Sequence, residues 1–240
     1  MKISVYDTKE QIGAEVAKII ADLIKRKPDC VLGLATGASP IPAYKALIEM
    51  YKKGEISFKD VTTFNLDEYC QIPRSDKNSY FTFMHEELFD HIDIKEENVN
   101  FLDGTAQDAA QECKRYDALI DKKGGIDLQV LGIGNNAHIG FNEPTERFSS
   151  GSYKTKLSNS TIEANKMYFQ NGEMPHYALT MGVSGICKSK AIVLIATGEK
   201  KAQAVYNMIK KDITPHVPAS ILQRHDKTAV FLDKAAASLL

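Results

Sequence analysis

Residues 30–40 have the sequence Cys-Val-Leu-Gly-Leu-Ala-Thr-Gly-Ala-Ser-Pro, an apolar run followed by a loop of small residues. The apolar run, 30–35, is short and continuous, which is typical of a strand buried on both faces of a parallel sheet. After the loop, apolar residues recur at helical spacing over 41–53, with Ser39 predicted as the N-cap and Pro40 at the first helical position. A strand, a loop and a helix in this order form the repeating unit of an α/β fold.

The same alternation continues along the chain on both sides of this unit. Short apolar runs predict further strands at 61–66, 99–102, 127–133, 191–196 and 228–232. Helical spacing of apolar residues predicts helices at 12–25, 79–91, 106–122 and 200–210. The pattern therefore predicts an α/β fold with a mostly parallel sheet, covered on both faces in three layers, as a single domain spanning 1–240.

The composition is that of an ordinary globular protein, with 43% hydrophobic and 25% charged residues. Thirty Lys and Arg stand against 31 Asp and Glu, so no basic excess favours nucleic acid or an anionic membrane as a partner. We expect no signal peptide in residues 1–7, and no apolar run approaches the roughly 20 residues of a membrane span. The four cysteines lack metal-binding spacing and are predicted to be buried free thiols, which makes the cytoplasm the expected compartment.

Ligands of a parallel α/β sheet bind beyond the carboxyl ends of the strands, so the loops after the predicted strands carry the candidate site. The loop 36–39, Thr-Gly-Ala-Ser, opens a helix, and its backbone N–H groups and hydroxyls suit a phosphate. It lacks the glycine fingerprint of dinucleotide-binding loops, which argues against a dehydrogenase. After 191–196, Lys201 offers a point charge for an anion, with a solvated lysine as the alternative interpretation.

Two other loops carry residues suited to proton transfer. Asp67 and Glu68 follow the strand 61–66, where a carboxylate can act as a general base; the alternative is that Asp67 caps a turn and Glu68 faces solvent. The loop 132–144, Gly-Ile-Gly-Asn-Asn-Ala-His-Ile-Gly-Phe-Asn-Glu-Pro, contains His138, which can exchange a proton near neutral pH, and Glu143, which can orient the imidazole. No second histidine stands nearby, so we predict no metal site.

Four segments together resemble the glucosamine-6-phosphate deaminase family in sequence, order and spacing. They are 36–40, Asn-Leu-Asp-Glu-Tyr at 65–69, the loop 132–144, and Pro-Ala-Ser-Ile-Leu-Gln at 218–223. The resemblance extends over almost the whole chain, and the loop 132–144 is its most specific part. It implies a modified Rossmann-like fold, an amino-sugar phosphate as substrate, and an aldose–ketose isomerisation coupled to loss of ammonia without a cofactor.

The resemblance also implies roles for individual residues. Asp67 corresponds to the base that moves a proton between C2 and C1 of the sugar, and Glu68 is grouped with the substrate-binding residues. His138 corresponds to the acid–base group that opens the sugar ring, with Asn136 and Glu143 as its partners. The residues that correspond to phosphate contacts are Thr36, Gly37, Ala38, Ser39 and Lys201.

The chain departs from the family pattern at three positions. Asn136 stands where some members have Asp, and Ala137 stands where Gly is common. At Met167 the family usually has an Arg that holds the phosphate, so either Lys166 or another cation replaces it, or the substrate is held differently. Galactosamine 6-phosphate therefore stays open as an alternative substrate.

Two further alternatives are less favoured. A 6-phosphogluconolactonase hydrolyses a lactone and needs no proton transfer by Asp67, and a non-catalytic sugar-phosphate sensor predicts the loss of Asp67 or His138, which are both present. The irregular segment 145–174 is a candidate lid. The sequence leaves the oligomeric state and allosteric activation open.

Overall fold

The computed structural model describes residues 1–169 and 174–240. Its strands are β1 (Lys2–Tyr6), β2 (Val31–Leu34), β3 (Thr62–Asn65), β4 (Asp67–Tyr69), β5 (Val99–Asn100), β6 (Leu128–Leu131), β7 (Tyr153–Lys156), β8 (Tyr177–Thr180), β9 (Ile192–Ala196) and β10 (Thr228–Asp233). Its α-helices are α1 (Lys9–Arg26), α2 (Ile41–Lys52), α3 (Tyr80–Glu87), α4 (Ala109–Lys122), α5 (Asn159–Asn165), α6 (Val183–Cys187) and α7 (Ala202–Lys210). Short 3₁₀ helices lie at Phe89–His91, Glu96–Asn98, Lys166–Tyr168, Glu199–Lys201 and Pro218–Arg224.

Within the described residues, seven parallel strands form the central sheet in the order β1-β10-β9-β6-β2-β3-β5. The predicted α/β fold with a mostly parallel sheet is thereby confirmed. From β2 the chain proceeds outward through β3 to β5, and from β6 it proceeds in the opposite direction through β9 to β10. The direction reverses between β2 and β6, and such a switch point leaves a crevice outside the strand ends.

Two apolar cores cover the faces of this sheet. One core contains buried residues of α1, α2 and α3, including Val16, Ile20 and Leu47. The other contains residues of α4, α6 and α7, including Tyr116 and Met208. Helices therefore enclose the sheet on both sides, in three layers, and β2 and β9 have the continuous apolar sequences expected of such a sheet.

A smaller sheet, which the sequence analysis did not predict, holds the loops of the candidate site. It consists of β4, β8 and β7 in antiparallel pairs, and Asp67 lies opposite Thr180. The hydroxyl of Thr180 accepts a hydrogen bond from the backbone N–H of Phe141 at 3.0 Å, and the Asn142 amide donates to the carbonyl of Met181 at 2.9 Å. This sheet therefore joins the segment after β3 to the loop after β6.

The predicted helices and strands differ from those of the structure mainly at a helix cap and at the edge of the sheet. Helix α1 begins at Lys9 rather than residue 12 because Thr8 and Gln11 form a capping box. Strand β1 was not predicted, since it lies at the sheet edge and its residues Ile3 and Val5 stay exposed. These features depend on hydrogen bonds and neighbours rather than on apolar periodicity.

A buried carboxylate connects neighbouring strands at the amino end of the central sheet. Asp127, just before β6, lies 2.7 Å from the Nζ atoms of both Lys27 and Lys190, and it accepts the backbone N–H of Val31 at 2.8 Å. Burial acts to raise the pKa of Asp127, but these donors outweigh it and lower the pKa below its ordinary value. Asp127 therefore connects the starts of three neighbouring strands.

Three of the four cysteines are buried, as predicted, and the fourth is not. Cys30, Cys70 and Cys113 are buried, Cys187 is half-buried, and all four are free thiols. In the described part of the chain, no helix combines the length and the apolar character needed to cross a bilayer.

Candidate active site

A cavity of about 290 Å³ lies at the switch point between β2 and β6. Residues 35–39 after β2 form one wall, and residues 132–136 after β6 form another. Asp67 after β3, His138 and Lys201 after β9 also line it. The structure thus brings the four loops selected from the sequence together around one cavity.

The loop 36–39 offers donors that the helix behind it does not use. Helix α2 begins after Pro40, and no side-chain hydrogen bond caps it, so the prediction of Ser39 as N-cap is wrong. The turn instead closes through the Pro40 carbonyl, which accepts the N–H groups of Ala43 and Tyr44. The Ser39 hydroxyl lines the cavity, together with Thr36, Gly37 and Ala38.

Lys201 supplies positive charge on the opposite side of the switch point. It ends the 3₁₀ helix that precedes α7, and it lines the cavity. Burial lowers its pKa, and among the described residues no carboxylate forms an ion pair with it. A half-buried ammonium without a counter-ion favours an anionic ligand.

Asp67 is a buried carboxylate that faces the cavity. Its side chain is 6% exposed, and the described residues provide it with no hydrogen-bond or ion-pair partner. Burial, together with the charge of Glu68, raises the pKa of Asp67 to about 8. A Cβ atom placed on Gly140 would lie 3.4 Å from Asp67 Oδ2, which shows how closely the loop after β6 approaches this carboxylate.

Glu68 points away from the cavity, contrary to its grouping with the substrate-binding residues. Its Oε1 accepts the N–H groups of Tyr69 and Tyr80, and its Oε2 accepts the N–H of Phe81 at 2.9 Å. Side chains alternate along a strand, so Asp67 and Glu68 face opposite sides of β4. Glu68 therefore stabilises the start of α3 and does not line the cavity.

His138, Asn136 and Glu143 form one cluster beside the cavity. Asn136 Nδ2 donates to Glu143 Oε2 at 2.6 Å, and His138 Nδ1 lies 3.4 Å from the same oxygen. That His138 nitrogen is buried and makes no hydrogen bond with good alignment. Burial acts to raise the pKa of Glu143, but His138, Thr161 and Asn136 lower it to about 2. Catalytic hydrogen bonds are commonly long without substrate.

Gly134 lets the imidazole of His138 lie against the backbone. A Cβ atom at Gly134 would come within 2.3 Å of the His138 ring, closer than any real contact. The turn that sets this arrangement is closed by two hydrogen bonds, from the Gly134 N–H to the His138 carbonyl and from the Ala137 N–H to the Gly134 carbonyl. Ala137 adopts a φ of +66°, at the position where Gly is common.

Several cavity residues were not found from the sequence. Tyr80, Ser160, Thr161 and Asn165 line the cavity, although none lies in a loop that directly follows a predicted strand of the main sheet. Ser158 caps α5, accepting the N–H of Thr161 at 3.2 Å. A Ser three residues before a Thr gives no functional signal in a single sequence, and the helix reaches the cavity only through tertiary packing.

The position expected to hold a phosphate-binding Arg lies outside the cavity. The Met167 side chain is 64% exposed, and the Lys166 ammonium pairs with Glu163. Neither residue lines the cavity, so the described structure does not place Lys166 as the replacement. Of the predicted lid 145–174, residues 170–173 lie outside the described residues, and movement of this segment stays a prediction.

A cavity lined in part by polar and charged side chains at the switch point of a three-layer α/β fold is typical of a protein that binds a small polar ligand. A family model for glucosamine-6-phosphate isomerases and 6-phosphogluconolactonases matches residues 6–231. Proteins named glucosamine-6-phosphate deaminase from Clostridium botulinum (strain Alaska E43 / Type E3) and Clostridioides difficile (strain 630) are 52% and 48% identical. Both alignments cover 100% of this chain and 97% of the relative. A solved structure of a monomeric glucosamine-6-phosphate deaminase superposes with a TM-score of 0.97 at 42% identity, covering 100% of both chains.

The chain therefore belongs to the glucosamine-6-phosphate isomerase/6-phosphogluconolactonase family.

Proposed function

We propose that this protein converts glucosamine 6-phosphate and water to fructose 6-phosphate and ammonia. The observation that carries the proposal is the cavity itself, where an unpaired buried carboxylate, Asp67, faces the same space as His138 and the unpaired Lys201. Isomerisation requires a base for a carbon-bound proton, an acid–base group for ring opening, and a cation for the phosphate. The full-length similarity to deaminases supports the same reaction.

Ring opening comes first, because the closed sugar has no carbonyl group. In the proposed step His138 takes the proton from the C1 hydroxyl and delivers it to the ring oxygen, while the bond between C1 and that oxygen breaks. Glu143 stays ionised because its pKa is about 2, and it stabilises the transiently charged imidazole. Asn136 orients this carboxylate through its 2.6 Å hydrogen bond, a role that an amide fills without a charge of its own.

Asp67 then moves a proton from C2 to C1. The aldehyde acidifies the C2 proton; the carboxylate removes it, and the C1 oxygen takes up a proton from the C2 ammonium group. Return of the abstracted proton from Asp67 to C1 then leaves a protonated imine at C2. Water adds to this imine and ammonia departs, which leaves the ketone. A carboxyl with a pKa of about 8 suits a base that must take and return a proton near neutral pH. An ammonium group on C2 of the substrate would favour the ionised carboxylate.

The phosphate is proposed to lie between the loop 36–39 and Lys201. Thr36 and Ser39 contribute hydroxyls, Gly37 and Ala38 contribute backbone, and Lys201 contributes the charge. Among the described residues that line the cavity, Lys201 is the one cation of the Lys and Arg type, so it carries the role left open at Met167.

The test is a comparison of three substrates with purified protein in the presence of a chelator. We expect ammonia and fructose 6-phosphate from glucosamine 6-phosphate, a lower kcat/KM for galactosamine 6-phosphate, and no hydrolysis of 6-phosphogluconolactone above the spontaneous rate. A preference for galactosamine 6-phosphate would instead assign the C4 epimer and tagatose 6-phosphate. Faster hydrolysis of the lactone would reject the deaminase assignment.

We also propose that the chain acts as one domain over 1–240 in the cytoplasm. Both apolar cores pack on the same central sheet, which supports a single folding unit. Four free thiols support a reducing compartment. Limited proteolysis that separated two stable fragments would reject the single domain.

A further inference from the structure

The two oxygens of the Glu143 carboxylate contact different parts of the chain. Oε2 faces the loop after β6, where Asn136 Nδ2 lies at 2.6 Å and His138 Nδ1 at 3.4 Å. Oε1 faces α5, where it accepts the hydroxyl of Thr161 at 2.5 Å and that of Ser158 at 3.0 Å. The carboxylate therefore joins the ring-opening cluster to a helix whose N-cap, Ser158, lies fifteen residues later in the chain.

The hydroxyl donors on Oε1 are held by the helix itself. Ser158 is the N-cap of α5, and its hydroxyl accepts the backbone N–H of Thr161 at 3.2 Å. Thr161 is 3% exposed and its acceptor Glu143 is 7% exposed, so water does not readily replace the Thr161 hydroxyl. The start of α5 thus presents two hydroxyls in fixed positions.

These contacts decide how the carboxylate is oriented. The terminal torsion of a Glu side chain has a broad energy profile, so the chain does not fix the plane of the carboxylate by itself. Two hydroxyls on Oε1 fix that plane and leave Oε2 directed at Asn136 and His138. Without these hydroxyls, the carboxylate can rotate and move Oε2 away from His138 Nδ1, which already lacks a well-aligned hydrogen bond.

We propose that Thr161, supported by Ser158, is a positioning residue for the ring-opening step, acting on His138 through Glu143. The inference rests on the proposed deaminase function. It assigns to α5 a part in the chemistry that is separate from substrate binding. Removing the Thr161 hydroxyl is expected to slow ring opening while the affinity for a ligand that has no ring stays the same.

The experiment compares Thr161→Val, which removes the hydroxyl at nearly constant volume, with Thr161→Ser, which keeps it. Thr155→Val is the matched control, because Thr155 lies on β7 outside the cavity, where its hydroxyl contacts the Lys156 carbonyl and the Tyr153 side chain. For each variant, kcat and KM are measured with glucosamine 6-phosphate. The dissociation constant is measured for 2-amino-2-deoxyglucitol 6-phosphate, an open-chain analogue without a ring.

We expect Thr161→Val to lower kcat by about tenfold to a hundredfold, as is usual for a misplaced catalytic group. KM and the dissociation constant of the open-chain analogue should stay at the wild-type values, and Thr161→Ser should recover most of kcat. Unchanged kcat in Thr161→Val overturns the inference. A weaker affinity for the analogue together with an unchanged kcat also overturns it, since Thr161 would then be a binding residue.

Two further measurements keep the inference falsifiable. If Thr161→Val does not fold, Ser158→Ala replaces it, and a wild-type kcat in that variant counts against the positioning role. If the wild-type protein has no deaminase activity, the proposed function fails, and the positioning role is then tested by the ¹⁵N signals of the His138 imidazole. These signals should change in Thr161→Val and be restored in Thr161→Ser; identical spectra refute the coupling.

Discussion

Asp67 and Asp127 are buried aspartates at opposite ends of the same sheet. Asp127 precedes β6 at the amino end, where two lysines and a backbone N–H surround it and its pKa is lowered. Asp67 follows β3 at the carboxyl end, where it has no partner among the described residues and its pKa rises to about 8. An ionised aspartate thus stabilises the folded state at the amino end of the sheet and destabilises it at the carboxyl end.

The difference shows how to separate structure from function in this molecule. A buried carboxylate whose oxygens are all occupied has no capacity left for a ligand, whereas one left unpaired in a cavity stays available for chemistry. The cost at the carboxyl end is offset by packing elsewhere in the fold, as is common at active sites. The following predictions test this contrast.

The largest expected effect is on catalysis. Asp67→Asn should lower kcat for glucosamine 6-phosphate by about 10³-fold or more, because an amide cannot accept the C2 proton. Exchange of the C2 proton with deuterated solvent, followed by NMR, should be lost while substrate binding remains. Asp127→Asn, the matched variant, should keep the wild-type kcat. Comparable turnover in the two variants would show that Asp67 is not the base.

A second pair of variants compares glycines at the two ends. Gly134→Ala should lower kcat by about a hundredfold, since the added methyl group collides with the His138 ring and displaces it. Gly125→Ala, beside the amino end, has open space for the methyl group but a φ of +79°, so it should cost roughly 1–2 kcal/mol of stability and leave kcat unchanged. Steady-state kinetics and urea unfolding of both variants measure the two effects. A normal kcat in Gly134→Ala would contradict the placement of His138.

A third pair compares lysines with and without a carboxylate partner. Lys201→Met should raise KM by roughly tenfold to a hundredfold, the equivalent of a lost hydrogen bond between charged groups. Lys190→Met should leave KM unchanged, because Lys190 pairs with Asp127 outside the cavity. Initial rates across a range of substrate concentrations distinguish the two. Equal KM values would place the phosphate away from Lys201.

The smallest expected effect is on stability, and it depends on pH. The pKa of Asp67 rises from 3.8 to about 8 on folding, so the folded state binds more protons in this window and stability falls as pH rises through it. Asp67→Asn should therefore stabilise the protein at pH 8 by a few kcal/mol at most, at about 1.4 kcal/mol per pKa unit, and by less at pH 5.

The opposite sign is expected at the amino end. The pKa of Asp127 is lowered on folding, so its stabilisation is present above pH 3.8 and is lost as pH falls below that value. Asp127→Asn should cost about 1–3 kcal/mol at neutral pH, since the two lysines lose their partner. Urea unfolding at several pH values measures both variants. If Asp67→Asn and Asp127→Asn changed the free energy of unfolding in the same direction, the proposed contrast between the two ends of the sheet would be wrong.

Apolar periodicity alone determined the alternation of strands and helices in the central sheet, apart from the edge strand β1, and the loops that end beside the cavity. That was possible because strands buried on both faces must be continuously apolar, and because ligands bind at the carboxyl ends of parallel strands. The residue types in those loops also made Asp67 and His138 candidates, whereas Lys201 became one through the resemblance to a family. Their assignment to an amino-sugar phosphate came from the resemblance to a family rather than from spacing.

Only the tertiary structure decided the contacts that depend on distant segments. It turned Glu68 away from the cavity toward α3, left the Ser39 hydroxyl free of α2, and placed Thr161 against Glu143. It also surrounded Asp127 with lysines from before β2 and before β9. The physical reason is that burial and hydrogen-bond partners, which set the pKa of a carboxylate, come from residues far apart in sequence and are unknown until the sheet has brought them together.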